Sequence, residues 1–401
     1  MKIFYIILFI VQGVIAVYLA LPALLFVLHY LWKWLTGGKS VADREPVVKK
    51  DFDFAAVVTA HKDVRFIAPL IDSFLKQTYG KAVVYVVADD CDISGLSFSD
   101  ERVVILKPEP ALHAKIKSIK YAIDHFVREH DVIVIFDADN LMHPRYFEYL
   151  NKYFQAGYRS VQTQMLSKNT ETIYSRLDSI GHIYYTFLDR QVRMEMGLSS
   201  CTLGLGIAVE RKLYMEIMYK DTLGGFDKKM QADIVKAIPR LAFAKEAIVY
   251  DEKVDDGQTL ETQRTRWLFT YFHYFRINWS VLKKGLQKFN FNLVYFGFVL
   301  LRPPLFILIG LACIFALLDF FIAPVYGFVF LGLLLLFALS FILIVLTQSR
   351  QKGMGQALLY VPLVVFRQVR AILKIKKATR SFLQTTQANP VYIDDILKKE
   401  M

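Results

Sequence analysis

Long apolar runs lie near both ends of the chain and enclose a region of shorter, alternating pattern. Residues 3–34 are almost uncharged and long enough to cross a bilayer with some tilt, with a kink expected at Pro22. Residues 293–318 and 320–346 form two further apolar runs, and Arg302-Pro303-Pro304 interrupts the first of them. The pattern predicts about three membrane-spanning helices. Residues 293–318 are either one kinked span or an interfacial piece that leads into a span from Leu305.

Between these runs, from residue 54 to about residue 281, short apolar segments alternate with amphipathic ones. Apolar runs rich in Val and Ile predict strands, and periodic segments between some of them predict helices. The predicted strands are residues 54–59, 82–88, 103–106 and 132–136, and the predicted helices are residues 66–76 and 115–129. Alternating strands and helices are typical of βαβ units, so we expect an α/β fold with a mostly parallel, Rossmann-like sheet.

The fourth predicted strand ends in two aspartates. Its sequence, VIVIFDADN, has five consecutive apolar residues followed by Asp137 and Asp139. An apolar run of this kind suits a strand buried on both faces, and open α/β sheets bind ligands at the carboxyl ends of their strands. Two carboxylates one residue apart can hold one divalent cation. An Asx turn that closes an ordinary strand explains the same residues, and the D-x-D pattern alone does not decide between the two.

The second predicted strand also ends in acids, Asp89-Asp90-Cys91-Asp92. In a Rossmann-like sheet this cluster borders the same crevice as the D-x-D pair. No G-x-G-x-x-G follows the first strand, and Gly204-Leu205-Gly206 lies far downstream without a third glycine. The sequence has no P-loop either. These patterns argue against a nicotinamide-binding or P-loop protein.

Composition indicates a membrane protein and the compartment in which its soluble part lies. The chain has 401 residues, of which 55% are hydrophobic, and a formal net charge of +12, which favours a membrane protein with a soluble portion. The basic residues cluster beside the apolar runs, as the positive-inside rule and anionic lipid require, and this argues against nucleic acid as a partner. Cys91, Cys201 and Cys313 have no metal or disulfide spacing. We therefore expect the central region and the C-terminal tail in the cytoplasm.

These patterns divide the chain into six parts. We expect an N-terminal transmembrane helix (1–36), a basic linker (37–52), a cytosolic α/β domain (53–257), an interfacial helix (258–290), two transmembrane helices (291–347) and a basic interfacial helix with a cytosolic tail (348–401). In the last part, residues 358–366 are too short to cross a bilayer, which favours a helix that lies on its surface.

Seven motifs follow one another in an order that resembles an enzyme family. They are VVTAHKD, VVADDCD, HAKIKSIKYAI, FDADN, GLSSCTLGLGIAVER, GGFDKKMQADI and QRTRW. The order spans residues 53–267 and is similar to that of the membrane-embedded family 2 glycosyltransferases of the D,D,D,QxxRW type, the group of cellulose, chitin and hyaluronan synthases. The resemblance implies a GT-A nucleotide-sugar domain, inverting transfer and a divalent metal, Mg²⁺ or Mn²⁺. Asp139 and Asp137 match the metal-binding pair, and Asp137 also contacts the nucleotide sugar.

The resemblance assigns further residues to the donor. Asp89 matches an acid that contacts uracil, and Asp63, at the end of the first motif, is placed to reach the same base or its ribose. Lys115 begins a predicted helix where the family has a lysine near the phosphates, and a helix N-terminus also favours anions. The neighbouring His113 is more simply explained as a structural residue in a turn.

The motif GGFDKKMQADI carries the expected catalytic base. The family has a Thr-Glu-Asp triplet whose aspartate takes the acceptor proton, and here Gln231-Ala232-Asp233 keeps only the aspartate. A positioned general base contributes about 10²- to 10⁴-fold in rate. The residues themselves leave an alternative open, because an acid in the first turn of a helix is favoured by the helix dipole alone.

Gln263, Arg266 and Trp267 form the QxxRW motif. On a predicted helix over residues 259–283 their spacing of i, i+3 and i+4 places them on one face. A guanidinium suits a diphosphate and an indole can stack on a sugar ring, and the resemblance assigns Gln263 and Arg266 to the donor and Trp267 to the acceptor. A helix that lies on lipid explains the Phe- and Tyr-rich residues that follow, and both interpretations can hold together. The tail sequence KATRSFLQTTQ resembles a basic segment that follows the interface helices in several such synthases.

Residues 197–206 are rich in glycine and serine. The resemblance places this segment on the acceptor side, with Ser200, Cys201 and Gly204 near the transferring sugar, where small residues let a glycan approach the backbone. From composition alone, a flexible connection is the alternative.

The predicted protein is a multi-pass enzyme of the cytoplasmic membrane, a family 2 hexosyl or N-acetylhexosaminyl transferase. It moves a sugar from a UDP-sugar to a hydroxyl of a growing polysaccharide or glycan. The expected partners are the UDP-sugar, the glycan acceptor and the lipid bilayer, and a homo-oligomer or an export partner is expected if three spans do not enclose a channel. Two alternatives stay open. One is a transferase that loads a single sugar onto polyprenyl phosphate, and the other is a membrane scaffold with a degenerate transferase domain, which Ala232 and the altered residues Leu268-Phe269 favour.

Overall fold

The central part of the chain folds around one mixed β-sheet. The computed structural model describes residues 2–217, 225–351, 353–373 and 390–400. Within these residues, the eight strands are β1 (Phe54–His61), β2 (Ala82–Asp89), β3 (Val103–Leu106), β4 (Val132–Asp137), β5 (Leu141–Met142), β6 (Ser160–Ser167), β7 (Ile207–Glu210) and β8 (Ala242–Asp251).

Helices cover both faces of this sheet and extend beyond it at both ends of the chain. They are α1 (Lys2–Thr36), α2 (Ile67–Leu75), α3 (Lys115–Asp124), α4 (Tyr146–Gln155), α5 (Ile173–Thr186), α6 (Val192–Glu195), α7 (Arg211–Ile217), α8 (Phe226–Ala237), α9 (Gly257–His273), α10 (Phe275–Gln287), α11 (Phe291–Leu300), α12 (Leu305–Ile322), α13 (Pro324–Gln348), α14 (Met354–Ala357), α15 (Val361–Leu373) and α16 (Ile393–Glu400). A π-helical turn, Phe187–Gln191, connects α5 to α6.

The strand order is β3-β2-β1-β4-β7-β6-β8-β5. β1 to β4 are parallel, as predicted, and their four predicted segments match the observed strands to within two residues. The other half is mixed, because β7 runs antiparallel to both β4 and β6 and β5 runs antiparallel to β8. The sheet is therefore Rossmann-like in its parallel half, as predicted, and mixed in its other half.

The register brings the ends of several strands to one edge of the sheet. His61 at the end of β1 lies opposite Asp89 at the end of β2, and Thr59 lies opposite Asp137 at the end of β4. β8 is parallel to β6 and ends at Asp251 on the same edge. Because the strand interiors are buried on both faces, this carboxyl edge is where polar side chains of the sheet collect.

Two predicted helices differ from the observed ones. The helix predicted over residues 115–129 ends at Asp124, because the chain turns back and the Val127 amide donates to the hydroxyl of the buried Tyr85 at 3.0 Å. The helix predicted over residues 259–283, and the single interfacial helix predicted over residues 258–290, are two helices, α9 and α10. They are separated at Tyr274, whose buried ring lies beside Gly225.

Three helices among the described residues, α1, α12 and α13, are long and apolar enough to cross a membrane. α1 continues through Pro22. α11 ends before Arg302-Pro303-Pro304 and α12 begins at Leu305, since prolines lack the amide that helix continuation needs. This matches the interfacial-piece alternative for residues 293–318.

Polar contacts tie these helices together. Asp319 lies inside α12, and both of its oxygens accept from Gln12 Nε2 of α1 at 3.1 Å. α15 covers part of the predicted interfacial segment 358–366 and packs along α9, where the Thr265 hydroxyl donates to the Ala371 carbonyl at 3.4 Å. The tail motif KATRSFLQTTQ lies outside the described residues.

Candidate active site at the carboxyl edge of the sheet

The two aspartates after β4 are held by Asn140. The Asn140 side-chain oxygen accepts from the Asp137 amide at 2.9 Å, and its Nδ2 donates to Asp251 at 3.0 Å. The Asn140 amide also donates to the Asp137 carbonyl at 3.1 Å. A turn therefore does close the strand, as the simpler interpretation required. It also fixes both carboxylates at the edge of the sheet, so the two interpretations do not exclude each other.

Asp139 is a buried carboxylate among other acids. It is 6% exposed, and burial, reinforced by Asp251 and only partly opposed by Lys168, raises the pKa of Asp139 to about 8. A carboxylate in this environment becomes easier to ionise when a cation binds beside it. Carboxylate oxygens are also the ligands that Mg²⁺ and Mn²⁺ prefer. The residues present therefore fit a divalent cation at Asp137 and Asp139.

Lys115 connects three elements at this edge. Its ammonium donates to Asp137 Oδ1 at 2.5 Å and to the Gly204 carbonyl at 3.0 Å. Lys115 is the first residue of α3, so its side chain and the helix N-terminus are at the same place. The structure thus brings together Lys115, Asp137 and Gly204, which the sequence assigned to donor, metal and acceptor.

Asp89 lies at the end of β2 and organises the loop before α3. Its carboxylate accepts from the amides of Leu112 and His113 at 2.6 and 2.8 Å, and His61 Nδ1 lies 3.2 Å from it. Asp63 is engaged elsewhere, because Arg65 donates to both of its oxygens, and this holds the pKa of Asp63 below its usual value. The predicted contact of Asp63 with base or ribose stays a prediction.

The glycine- and serine-rich segment 197–206 is fixed and is not the flexible connection that its composition allowed. Five consecutive amides each donate to a different part of the fold: Ser199 to Asn292 Oδ1, Ser200 to the Leu241 carbonyl, Cys201 to the Asp189 carbonyl, Thr202 to Gln231 Oε1 and Leu203 to Gln162 Oε1. Buried backbone groups without partners are costly, so this pattern specifies one conformation of the segment.

Within this segment the predicted acceptor residues differ in access. Ser200 and Cys201 are 0% and 8% exposed, and the Cys201 sulfur lies 3.0 Å from Arg193 Nη1. The predicted acceptor contact of these two side chains stays a prediction. Gly204 borders open space, since a Cβ added there would meet no atom within 4 Å.

The QxxRW residues lie on α9, which is capped by the side chain of Asp256. Burial lowers the pKa of Arg266, and the carboxylates of Asp137 and Asp227, which lie within electrostatic range, oppose this shift. Gln263 Oε1 is buried and accepts no hydrogen bond from the described residues. The Trp267 ring is 47% exposed and lies 4.2 Å from the Arg264 guanidinium.

Comparison with protein families decides the identity. Residues 52–270, more than half of the chain, match the family described as "Glycosyltransferase like family 2". The chain belongs to this family.

Two solved structures also resemble this glycosyltransferase. One is the mannosyltransferase PcManGT from Pyrobaculum calidifontis in complex with GDP-Man and Mn²⁺, with 14% identity over 91% of this chain and 99% of that chain and a TM-score of 0.49. The other is S. aureus TarS 1-349 in complex with UDP-GlcNAc, with 12% identity over 85% of this chain and 99% of that chain and a TM-score of 0.41. A comparison with curated proteins gave no match.

The expected base of the transferase, Asp233, contacts lysines. Lys229 and Lys236 lie 2.5 and 3.0 Å from its oxygens, and together with Lys284 they line a surface pocket. Asp227, six residues earlier on α8, lies within electrostatic range of Arg266, as Asp137 does. Six residues correspond to about 9 Å along a helix and about 240° around it. Asp233 and Asp227 therefore lie at different heights along α8 and on different faces of it.

The neighbours of Asp233 explain where the transferase departs from the Thr-Glu-Asp triplet. Ala232 is fully buried in the apolar core under the sheet, where a glutamate would bring an unpaired charge. Gln231 is also buried, and its side-chain oxygen accepts from the Thr202 amide at 3.3 Å. Gln231 thus positions the glycine- and serine-rich segment.

Sequence reasoning missed the acids and lysines at the end of β8. Asp251 accepts from Asn140 and from Lys253, the latter at 2.9 Å, and Lys168 donates to the Asp139 carbonyl at 2.7 Å. The signal was present, because Asp251 ends a strand just as Asp89 and Asp137 do. Asp251 was not recognised as a strand-end acid because β8 was not among the predicted strands.

Proposed function

We propose that this transferase moves a sugar from a nucleoside diphosphate sugar, UDP-linked, to a hydroxyl of a growing polysaccharide or glycan, with inversion and with a divalent metal. The observation that carries the proposal is the convergence of two cations on one carboxylate. Lys115 lies 2.5 Å from Asp137, and Arg266 interacts electrostatically with the same residue. A cationic pair around an acid at the carboxyl edge of a Rossmann-like sheet suits a diphosphate.

In this proposal the donor diphosphate lies between Lys115 and Arg266. Both cations stabilise the negative charge that develops as the diphosphate departs, and they are held in place before the reaction. A Mg²⁺ or Mn²⁺ ion held by Asp137 and Asp139 would supply Lewis-acid neutralisation of the same charge. Asn140 orients both carboxylates toward this role.

Asp89 is proposed to contact the nucleobase. A carboxylate accepts hydrogen bonds, and uracil and guanine both present a ring N–H at the edge that a carboxylate can reach. Asp89 keeps acceptor capacity because a carboxylate has about four lone-pair positions, and the two amides and His61 use at most three of them. Sugars linked to UDP and to GDP therefore belong in the same test, with UDP expected to be preferred.

The acceptor is proposed to bind between Gly204 and the exposed face of α9. Trp267 offers the acceptor an exposed indole for stacking. Gln263 stays on the donor side, where its buried oxygen, which accepts no hydrogen bond from the described residues, can accept one from a hydroxyl of the donor sugar. Replacing Trp267 with alanine is expected to impair elongation more than hydrolysis of the donor. Equal losses in both reactions would argue against the acceptor role.

Asp233 is the proposed base, and Asp227 is a second candidate because it lies within electrostatic range of Arg266. The variants Asp233→Asn and Asp227→Asn separate them, since the amide has the same shape and cannot take a proton. The base variant is expected to bind the nucleotide normally and to lose transfer. If Asp227→Asn alone loses transfer, the motif assignment of Asp233 is wrong. Full transfer in both variants would refute both candidates.

The protein is proposed to be anchored by α1 and by the α12–α13 pair, with the domain of residues 53–257 on the cytoplasmic side. The basic residues after the first and last apolar runs support this orientation. A C-terminal tag is then expected to be digested by protease in inverted membrane vesicles and to be protected in right-side-out ones. The opposite pattern would reverse the topology.

The deciding experiment incubates the detergent-purified protein with radiolabelled UDP- and GDP-sugars and with Mn²⁺ or Mg²⁺, and then sizes the product. A polymer or oligosaccharide in the aqueous phase is expected. A product that extracts into organic solvent as a lipid-linked monosaccharide would instead favour the polyprenyl-phosphate transferase. Nucleotide binding with no turnover of any donor would favour the degenerate scaffold. An oligomer or an export partner is expected if the product is a long polymer.

A further inference from the structure

A second group of metal-ligating side chains lies on the carboxyl edge, away from the D-x-D pair. It consists of His61, Asp89 and His113, and one ligand atom of each lies within 4.8 Å of the other two. The two imidazole rings are 5.4 Å apart between centroids and nearly perpendicular, at 86°. The two rings therefore meet edge to face and do not stack.

The fold builds this group from two strand ends and one loop. His61 is the last residue of β1 and lies opposite Asp89 in the sheet register. Asp89 draws the loop inward by accepting the His113 amide, and this brings the His113 side chain to the same edge. Asp89 is 2% exposed, whereas a third of the His61 side chain is exposed and His113 lies at the surface. The group therefore has a buried carboxylate and an open side toward solvent.

The donor atoms distinguish this group from the D-x-D pair. Two imidazoles and one carboxylate form the ligand set of open zinc sites, whereas carboxylates alone suit Mg²⁺ and Mn²⁺. Bonds of about 2.0–2.2 Å in a tetrahedral zinc site place ligand atoms about 3.3 Å apart. His61 Nδ1 and Asp89 Oδ2 already lie 3.2 Å apart. Only the surface side chain of His113 has to move closer.

We propose that His61, Asp89 and His113 bind a transition-metal ion of the Zn²⁺ class, and that this ion competes with the donor nucleotide for Asp89. The metal site itself stands on the geometry, and the competition rests on the proposed function. Both ligands need the few positions that the Leu112 and His113 amides leave on the Asp89 carboxylate, so the binding of one weakens the binding of the other. Zn²⁺ would then inhibit a transferase whose activity Mg²⁺ or Mn²⁺ supports at Asp137 and Asp139.

The test is calorimetric titration of the full-length, detergent-purified protein with ZnCl₂ in buffer that contains Mg²⁺. The variants are His61→Ala and His113→Ala, and the matched control is His125→Ala, an exposed histidine at the end of α3. Wild type and His125→Ala are expected to bind Zn²⁺ alike. In His61→Ala and in His113→Ala, the affinity for one of the bound Zn²⁺ ions is expected to fall by at least about tenfold, because one of its ligands is lost. Zn²⁺ bound at Asp137 and Asp139 would be present in every titration and does not affect the comparison.

A second titration adds UDP at saturating concentration to the wild-type protein. Zn²⁺ affinity at the histidine site is expected to fall, and Zn²⁺ is expected to raise the apparent KM for the donor in wild type and not in His113→Ala. Unchanged Zn²⁺ binding in both histidine variants would overturn the metal site. Histidine-dependent Zn²⁺ binding that UDP leaves unchanged would overturn the competition and place the nucleotide away from Asp89. That result would contradict the proposed donor site while keeping the metal site.

Discussion

Replacing Lys115 with methionine separates its catalytic contribution from its structural one. The Lys115 and Asp137 side chains are 26% and 40% exposed, and an ion pair with this exposure contributes about 0–1 kcal/mol to stability. A loss of this size shifts the Tm of a domain of this size by about 2–4 °C at most. The charge that Lys115 presents to the departing diphosphate is worth more, because removing one preorganised donor costs about 10²- to 10³-fold in kcat.

Initial rates of sugar transfer at saturating donor and thermal unfolding of the same preparations measure the two effects. Lys117→Met is the matched control, since Lys117 is exposed and lies two residues later, on a different face of α3. Lys115→Met is expected to unfold within a few degrees of wild type and to lose most of its transfer rate. Wild-type transfer by a folded Lys115→Met protein would refute the role of this lysine. An equal loss in Lys117→Met would show that the effect is not specific to the site.

Three further predictions follow from the same edge of the sheet. Gly206→Ala is expected to lower the free energy of unfolding by about 1–3 kcal/mol, because Gly206 has a φ of +62° and a Cβ there would lie 2.6 Å from Thr163 Oγ1. Thermal unfolding measures this loss. The control is Gly204→Ala, which is expected to unfold like wild type because a Cβ at Gly204 meets open space. Asn140→Ala is expected to weaken Mn²⁺ binding about 10- to 100-fold in calorimetric titration, and unchanged affinity would contradict the bridging role. Burial raises the pKa of Asp139 from 3.8 to about 8, so between these values the folded protein keeps a proton that the unfolded chain has released, and stability falls as pH rises. In EDTA the Tm of wild type is therefore expected to fall more steeply from pH 5 to pH 8 than that of Asp139→Asn, and equal slopes would contradict the buried carboxylate.

The parallel half of the sheet was predictable because its strands are continuous apolar runs. β1, β2, β3 and β4 were each located to within two residues. The interiors of β1, β2 and β4 are buried on both faces and need apolar residues there, and β3 at the edge is half-buried but is also an unbroken run of Val, Ile and Leu. β6 and β8 carry polar residues such as Gln162, Thr163 and Lys245 within their spans. Their apolar pattern is therefore interrupted, and the mixed half of the sheet remained hidden.

The segment 197–206 shows what composition cannot reveal. Glycine and serine indicated flexibility, yet five successive amides are paired with groups that lie between 12 and 93 residues away in the sequence, such as Gln162 Oε1 and Asn292 Oδ1. A local pattern contains no information about partners that are distant in the chain. Burial of Ser200 and Cys201 follows from the same contacts, and nothing in the sequence indicated this burial.

Sequence motifs locate the donor-binding aspartates more reliably than they locate the catalytic base. Asp89 and Asp137 end parallel strands, and parallel strands share one edge, so topology alone brings these residues together. Asp233 lies on a helix, where position depends on the residue at which the helix begins. α8 begins at Phe226, with Asp227 in its first turn, and each residue adds about 1.5 Å and 100°. A helix that began several residues later would bring Asp233 to the position that Asp227 now occupies within electrostatic range of Arg266. The assignment of the base therefore depends on the start of one helix, whereas the assignment of the donor residues depends on the order of a whole sheet.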